Sequence, residues 1–135
     1  MKQVSPSILW GGALILWMGV IFGLSHQPGT GIEWEPPLWY VVERKSAHIF
    51  EYALLMFLAF GFLRSVYQAT SKRELLSAAL VFCITYGVLD ELHQFFVFGR
   101  GARFTDVMFD ALGALAMTSL LWLWYQRRNK IHSNI

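Results

Sequence analysis

The chain has little cysteine, little charge and few basic residues, and each shortage excludes a class of protein. A single cysteine, Cys83, rules out a disulfide within the chain. Charged residues make up 15% of the sequence, against about 25% in soluble domains, and 56% of the residues are hydrophobic. A net charge of +2 without a basic stripe argues against nucleic-acid binding. A soluble chain of 135 residues could not bury so much apolar surface, so the composition indicates a membrane protein.

Four long apolar runs carry most of the hydrophobic residues. A helix needs about 17–25 residues to cross a bilayer, and lipid requires backbone amides to pair within the segment. We therefore predict an all-α integral membrane bundle of about four transmembrane helices, forming a single domain over residues 1–135. The predicted helices lie at residues 8–24, 47–63, 75–98 and 107–125, followed by a mobile basic tail at 126–135.

The connections between these runs contain turn-forming and interfacial residues. Prolines and glycines argue against a helix between the first two runs, where Trp34, Trp39 and Tyr40 are typical interfacial anchors. Lysine and arginine are more frequent on the side of the termini than on the other side. The positive-inside rule then places both termini in the cytoplasm and the acidic loop of Glu33, Glu35 and Glu43 outside.

Ionisable residues occur at a similar depth on three different helices. With a rise of 1.5 Å per residue, Asp90 lies about 12 Å, Glu51 about 9 Å and Asp110 about 8 Å below the outer ends. Charged groups in hydrocarbon cost about 2.5–3.5 kcal/mol each, so such a cluster predicts a functional site. On each helix the polar residues also share one face: Lys45, His48 and Tyr52 on the second, Asp90, Glu91 and Gln94 on the third, and Asp106, Asp110 and Gly113 on the fourth.

These residue types favour acid–base chemistry beside an anion site. The candidate acids and bases are Asp90, Glu91, Asp110 and His48. The candidate ligands of an anionic headgroup are Lys45, Tyr52, Gln94, Arg100 and Arg103, supported by Glu51, Asp106 and Gly113. Five of these residues are acids, and three, Lys45, Arg100 and Arg103, are cations. Protonated carboxyls, charged histidines or a bound cation would relieve the excess of negative charge.

Each of these residues also has a structural interpretation. Lys45 and Arg103 could extend to the interface, and His93, off the polar face, could simply pack. Asp106 could stabilise a helix N-terminus capped by Thr105, and Gly113 could allow close helix packing. The whole cluster could be a buried ion-pair network that fixes the register of the helices.

The same positions carry a family resemblance. Lys45-x-x-His48-x-x-x-Tyr52, Asp90-Glu91-x-x-Gln94 with Arg100, and Asp106-x-x-x-Asp110-x-x-Gly113 resemble the VanZ-like family over roughly residues 20–117. Ser25 and Gln27 resemble its first outer loop, whereas Met117 stands where a second small residue often occurs. The resemblance implies a multi-pass protein of the bacterial cytoplasmic membrane, in a family whose founding member is linked to teicoplanin resistance.

Three functions remain open from the sequence. The site could act as an enzyme on a lipid-linked or phospholipid headgroup, although no Ser-His-Asp, HExxH or phosphate-loop pattern occurs. It could instead bind a lipid, a cell-wall precursor or a lipophilic antibiotic without chemistry, or form part of a proton or cation path. No cofactor is expected, a divalent cation is possible but unspecified, and the partners expected are membrane lipids or a lipid-linked cell-wall precursor. The oligomeric state is left open.

Overall fold

The computed structural model describes residues 4–29, 37–101 and 103–133, with no side-chain detail for 130–133. Four helices and no strand occur in these ranges, and each helix has a stretch long and apolar enough to cross a membrane. The prediction of an all-α protein with four candidate membrane spans is therefore confirmed. The helices are α1 (Pro6–Ser25), α2 (Leu38–Val66), α3 (Lys72–Phe95) and α4 (Phe104–Ser133).

The boundaries of α2 differ from the prediction, and the difference matters for the site. The helix begins at Leu38, directly after Pro37, and not at residue 47. Proline is favoured at the start of a helix because its fixed φ suits the first turn. No helix-breaking residue follows in the next positions. Arg44, assigned to a loop from the sequence, consequently lies on α2. Trp34, Glu33 and Glu35 of the same predicted loop lie outside the described residues.

The boundaries of α3 and α4 also require correction. Helix α3 ends at Phe95 and not at residue 98, because the chain turns through Gly99, whose φ of 71° favours glycine. Helix α4 begins at Phe104, so Thr105 lies inside it and does not cap it. At its other end α4 continues to Ser133, so residues 126–133 extend the helix and do not form a separate tail.

Helix α2 is the centre of the bundle and packs against the three other helices. Helix α4 approaches it closely where a Cβ at Gly113 would collide with the carbonyl oxygen of Ile49. Helix α1 packs with the Trp10 ring over Gly61, and within the described residues it makes no contact with α4. The close approach at Gly113 brings the N-terminal half of α2 beside the start of α4, where the polar residues lie.

Outward-facing side chains are mostly large and apolar. Ile15 and Leu16 on α1 are each 72% exposed, and many leucines and phenylalanines on the other helices are similarly uncovered. The buried core is small and includes Leu55, Met56 and Cys83. Such a distribution suits a lipid environment, in which apolar surfaces need no protein cover.

Candidate functional site

The buried polar side chains of the described residues all lie at one end of the bundle. This polar end is formed by the C-terminus of α1, the N-terminal half of α2, the C-terminal half of α3 and the start of α4. Its buried members are Ser25, His48, Asp90, Glu91, Gln94, Asp106 and Asp110, and the partly buried Arg44 and Lys45 adjoin them.

Asp106 is the most completely buried acid of the polar end, with no exposed surface. Its two carboxylate oxygens accept hydrogen bonds from Arg44 and Lys45, which follow each other on α2. Lys45 Nζ also lies 3.3 Å from Thr105 Oγ1 and 4.6 Å from the centre of the Phe109 ring. Two cations thus neutralise one buried acid and connect α2 to α4.

His48 lies between two carboxylates. Its Nδ1 atom is 2.8 Å from Asp110 Oδ1, so the Asp110 carboxylate accepts a hydrogen bond and orients the ring. The Nε2 atom faces Asp106 Oδ2 at 3.9 Å. A histidine oriented by an acid can take up and return a proton, which is the arrangement of a general acid–base pair.

A separate hydrogen-bonded group connects α1 and α3. Ser25 Oγ donates to Asp90 Oδ2 at 2.6 Å, and Gln94 Nε2 donates to the same oxygen at 2.9 Å. Gln94 Nε2 also lies 3.2 Å from Ser25 Oγ. All three residues are buried, so their hydrogen bonds offset the loss of water around the Asp90 carboxylate.

The two arginines after α3 are placed differently. Arg100 Nη1 donates to the carbonyl oxygens of Leu24 at 2.9 Å and Ser25 at 3.0 Å, which holds the C-terminus of α1. Arg103 uses its backbone N–H, which donates to Glu91 Oε2 at 2.7 Å. Its side chain is exposed and forms no ion pair within the described part of the chain.

Several buried polar atoms of the polar end have no hydrogen-bond partner among the described residues. One of them lies beside Gly87, since a Cβ there would touch Asp110 Oδ2 at 3.4 Å and a carbon of the Tyr52 ring at 3.3 Å. Glu91 and Gln94 follow Gly87 at i+4 and i+7 on the same stripe of α3. The unpartnered atoms are Tyr52 Oη, Glu91 Oε1, Gln94 Oε1, Asp110 Oδ2 and Arg44 Nε.

Most of the residues selected from the sequence come together at this end, but several have partners other than those expected. Lys45 is occupied by Asp106 and Arg100 by backbone carbonyls, whereas Arg103 points outward. Glu51 is half-buried, and its carbonyl oxygen accepts a hydrogen bond from Trp17 Nε1 at 3.0 Å. No group of three or more histidine, cysteine or acidic side chains in the described ranges could hold a metal ion.

Sequence reasoning missed two members of the site. Arg44 was overlooked because it was assigned to a loop, although it precedes His48 by one helical turn. Ser25 was placed in a loop, although it ends α1 and reaches Asp90. His93 lies beside α1, where its Nε2 is 3.1 Å from His26 Nδ1 and its ring packs on Phe22.

The fold and the polar end together define a class: a multi-pass membrane protein with a buried, hydrogen-bonded polar site at one end of four apolar helices. A family model described as VanZ/LLP1 matches residues 10–125, and the chain belongs to this family. The family resemblance seen in the sequence is thereby confirmed. No curated protein and no solved structure matches the chain.

Proposed function

We propose that the polar end binds the headgroup of a cell-envelope lipid and that His48 and Asp110 form an acid–base pair beside it. The observation that carries this proposal is the set of buried oxygens on Glu91, Gln94 and Asp110 without partners. A buried acceptor without a donor costs about 1–3 kcal/mol, and a ligand rich in hydroxyl groups would supply the donors.

The expected charge of the headgroup depends on which cations of the polar end are free to bind it. Lys45 and Arg44 are held by Asp106, so they are less suited to an anion than the sequence suggested. Arg103 is exposed, and its backbone N–H contacts Glu91. A phosphate on Arg103 would leave sugar or glycerol hydroxyls to reach the acceptors below. Phospholipids and lipid-linked cell-wall precursors both combine these groups.

Location and biological effect follow from the same proposal. The lysine and arginine distribution supports a polar end at the outer leaflet of the bacterial cytoplasmic membrane. A site there would meet lipid-linked precursors of the cell wall, and its action would alter susceptibility to glycopeptides such as teicoplanin. The proton-path alternative is not adopted, because the buried polar side chains of the described residues lie at one end only.

The test is lipid retention by the purified full-length protein, measured by native mass spectrometry. We expect a retained lipid that carries both phosphate and hydroxyl groups. Arg103→Gln should reduce its occupancy about tenfold, as for loss of one charged hydrogen-bond donor. Arg73→Gln, an exposed arginine at the start of α3, is the matched control and should retain the lipid. Equal retention by both variants would contradict the proposal.

The His48→Gln variant distinguishes a catalytic site from one that only binds the lipid. If the site is catalytic, a folded His48→Gln protein should still retain the lipid in the native mass spectrum. Cells expressing this variant should then show the envelope-lipid composition and teicoplanin susceptibility of a strain without the gene. If the variant restores both properties as fully as the natural protein, the site binds its ligand without acid–base chemistry.

A further inference from the structure

A second group of charged and aromatic side chains lies at the opposite end of the bundle. Arg64 near the end of α2 and Lys72 at the start of α3 both stack on the ring of Tyr125, with Cζ at 5.1 Å and Nζ at 4.4 Å from its centre. Arg128 stacks on Trp124, with Cζ 5.0 Å from the ring. These five residues are called the basic end.

The cations of the basic end have no acidic partner among the residues that the structure describes. The ion pairs found among the described residues all end on Asp106 or Asp110, at the polar end. Glu74, the acid nearest to Lys72 in the sequence, is exposed, and its backbone N–H bonds to Ser71 Oγ at 3.3 Å. Three cations held together by aromatic rings therefore create a positive potential that an anion would neutralise.

The shape of the basic end adds a second observation. Arg64, Lys72, Tyr125 and Arg128 line a small cavity of about 170 Å³. Arg64 and Tyr125 also line a larger cleft of about 570 Å³. The other walls of that cleft are mostly apolar and come from α1, α2 and α4, including Trp10, Phe57, Phe60 and Leu121.

Arg64 and Tyr125 line both cavities, so the small charged cavity adjoins the apolar cleft. The apolar cleft lies where α1 and α4 are separated by α2, and it runs along the membrane-spanning part of the helices. A ligand that fills both needs an anionic group and a long apolar chain in direct continuity. Free phosphate would satisfy the cations but would leave the apolar walls uncovered.

The geometry points to a binding site for an anionic phospholipid at the basic end, distinct from the headgroup site at the polar end. Its phosphate contacts Arg64, Lys72 and Arg128, whose two guanidinium groups and one ammonium group suit phosphate oxygens. One acyl chain lies along Phe57, Phe60 and Leu121. Basic pockets between membrane helices bind anionic headgroups in this manner.

The experiment compares two lipids on the full-length protein in mild detergent. Phosphatidylglycerol and phosphatidylcholine with identical acyl chains are added, and bound lipid is measured by native mass spectrometry. We expect at least about a fivefold preference for phosphatidylglycerol. The double variant Arg64→Gln/Arg128→Gln should lose that preference. The double variant Arg73→Gln/Arg127→Gln removes the same charge near the same end, without these ring contacts in the described residues, and should keep it.

Four outcomes would overturn the proposal. The first is no preference between the two lipids in the natural protein. The second is an equal loss of preference in both double variants, which would indicate only general attraction between charges. The third is loss of the preference in Arg103→Gln, which would place the lipid at the polar end. Inorganic phosphate that raises the unfolding temperature as much as phosphatidylglycerol would show an anion site without a lipid chain and would equally count against it.

Discussion

The two ends of the bundle handle charge in opposite ways. At the polar end several charges are paired inside the protein, as when Arg44 and Lys45 both bond to the fully buried Asp106. At the basic end Arg64 and Lys72 share the ring of Tyr125 and have no acidic partner in the described residues. Both ends contain cations, but in the described ranges only the polar end pairs any of them with acids.

The difference separates charges that hold the helices from charges that are available to a ligand. Removal of one partner from a buried pair leaves an uncompensated charge, so the ion pairs of the polar end should dominate stability. Exposed cations over aromatic rings contribute far less to folding, because water already solvates them. Mutations at the two ends should therefore differ first in their effect on stability and only then in their effect on binding.

The largest loss is expected from Asp106→Asn. Two partly buried cations would lose their acid, and the free energy of unfolding should fall by about 3–5 kcal/mol. Thermal unfolding in detergent, followed by helical circular dichroism, measures the loss. Glu43→Gln, which removes an exposed acid from the same helix, is the control and should change little. Similar losses in the two variants would show that the Asp106 ion pairs do not hold α2 to α4.

An intermediate loss is expected from Ser25→Ala. The Asp90 carboxylate would keep Gln94 but lose its shortest hydrogen bond, which should lower the free energy of unfolding by about 1–2 kcal/mol. The same unfolding assay applies. Ser119→Ala serves as the control, because Ser119 Oγ is exposed and donates only to the Leu115 carbonyl of its own helix. If the control is destabilised as much, the link between α1 and α3 through Ser25 is unimportant.

The smallest effect on stability is expected from Arg64→Gln at the basic end. Loss of one exposed cation over Tyr125 should change the free energy of unfolding by less than about 1 kcal/mol. Unfolding in lipid-free detergent tests this, with Arg73→Gln as the control. A loss as large as that of Asp106→Asn would remove the distinction between the two ends.

Much of the fold could be predicted because hydropathy depends only on local composition. The four apolar runs predicted four helices, and the family resemblance agreed with the match over residues 10–125. Helix ends were predicted less well. The start of α2 was placed at residue 47, because polar residues such as Glu43 and Arg44 resemble a loop when their partners are unknown. Arg44 pairs with Asp106 of α4, and local composition does not reveal that contact.

The clustering of the polar residues was predicted, but the pairs that they form were not. Acids on three helices at one depth indicated a cluster, and the buried polar residues do lie together. Lys45 was expected to hold a ligand, but the structure pairs it with Asp106, which was itself considered only a supporting residue. Spacing along a helix defines a face, but it does not say which face of the next helix lies opposite.

The sequence by itself determined the number of helices, since apolar length acts locally. The tertiary structure alone decided the partners. His48 with Asp110, and Ser25 with Asp90, are more than sixty positions apart and meet only through the rotation and close packing of their helices. Close approach at Gly113 brings α2 against α4, and this contact decides which charges are neutralised at the polar end.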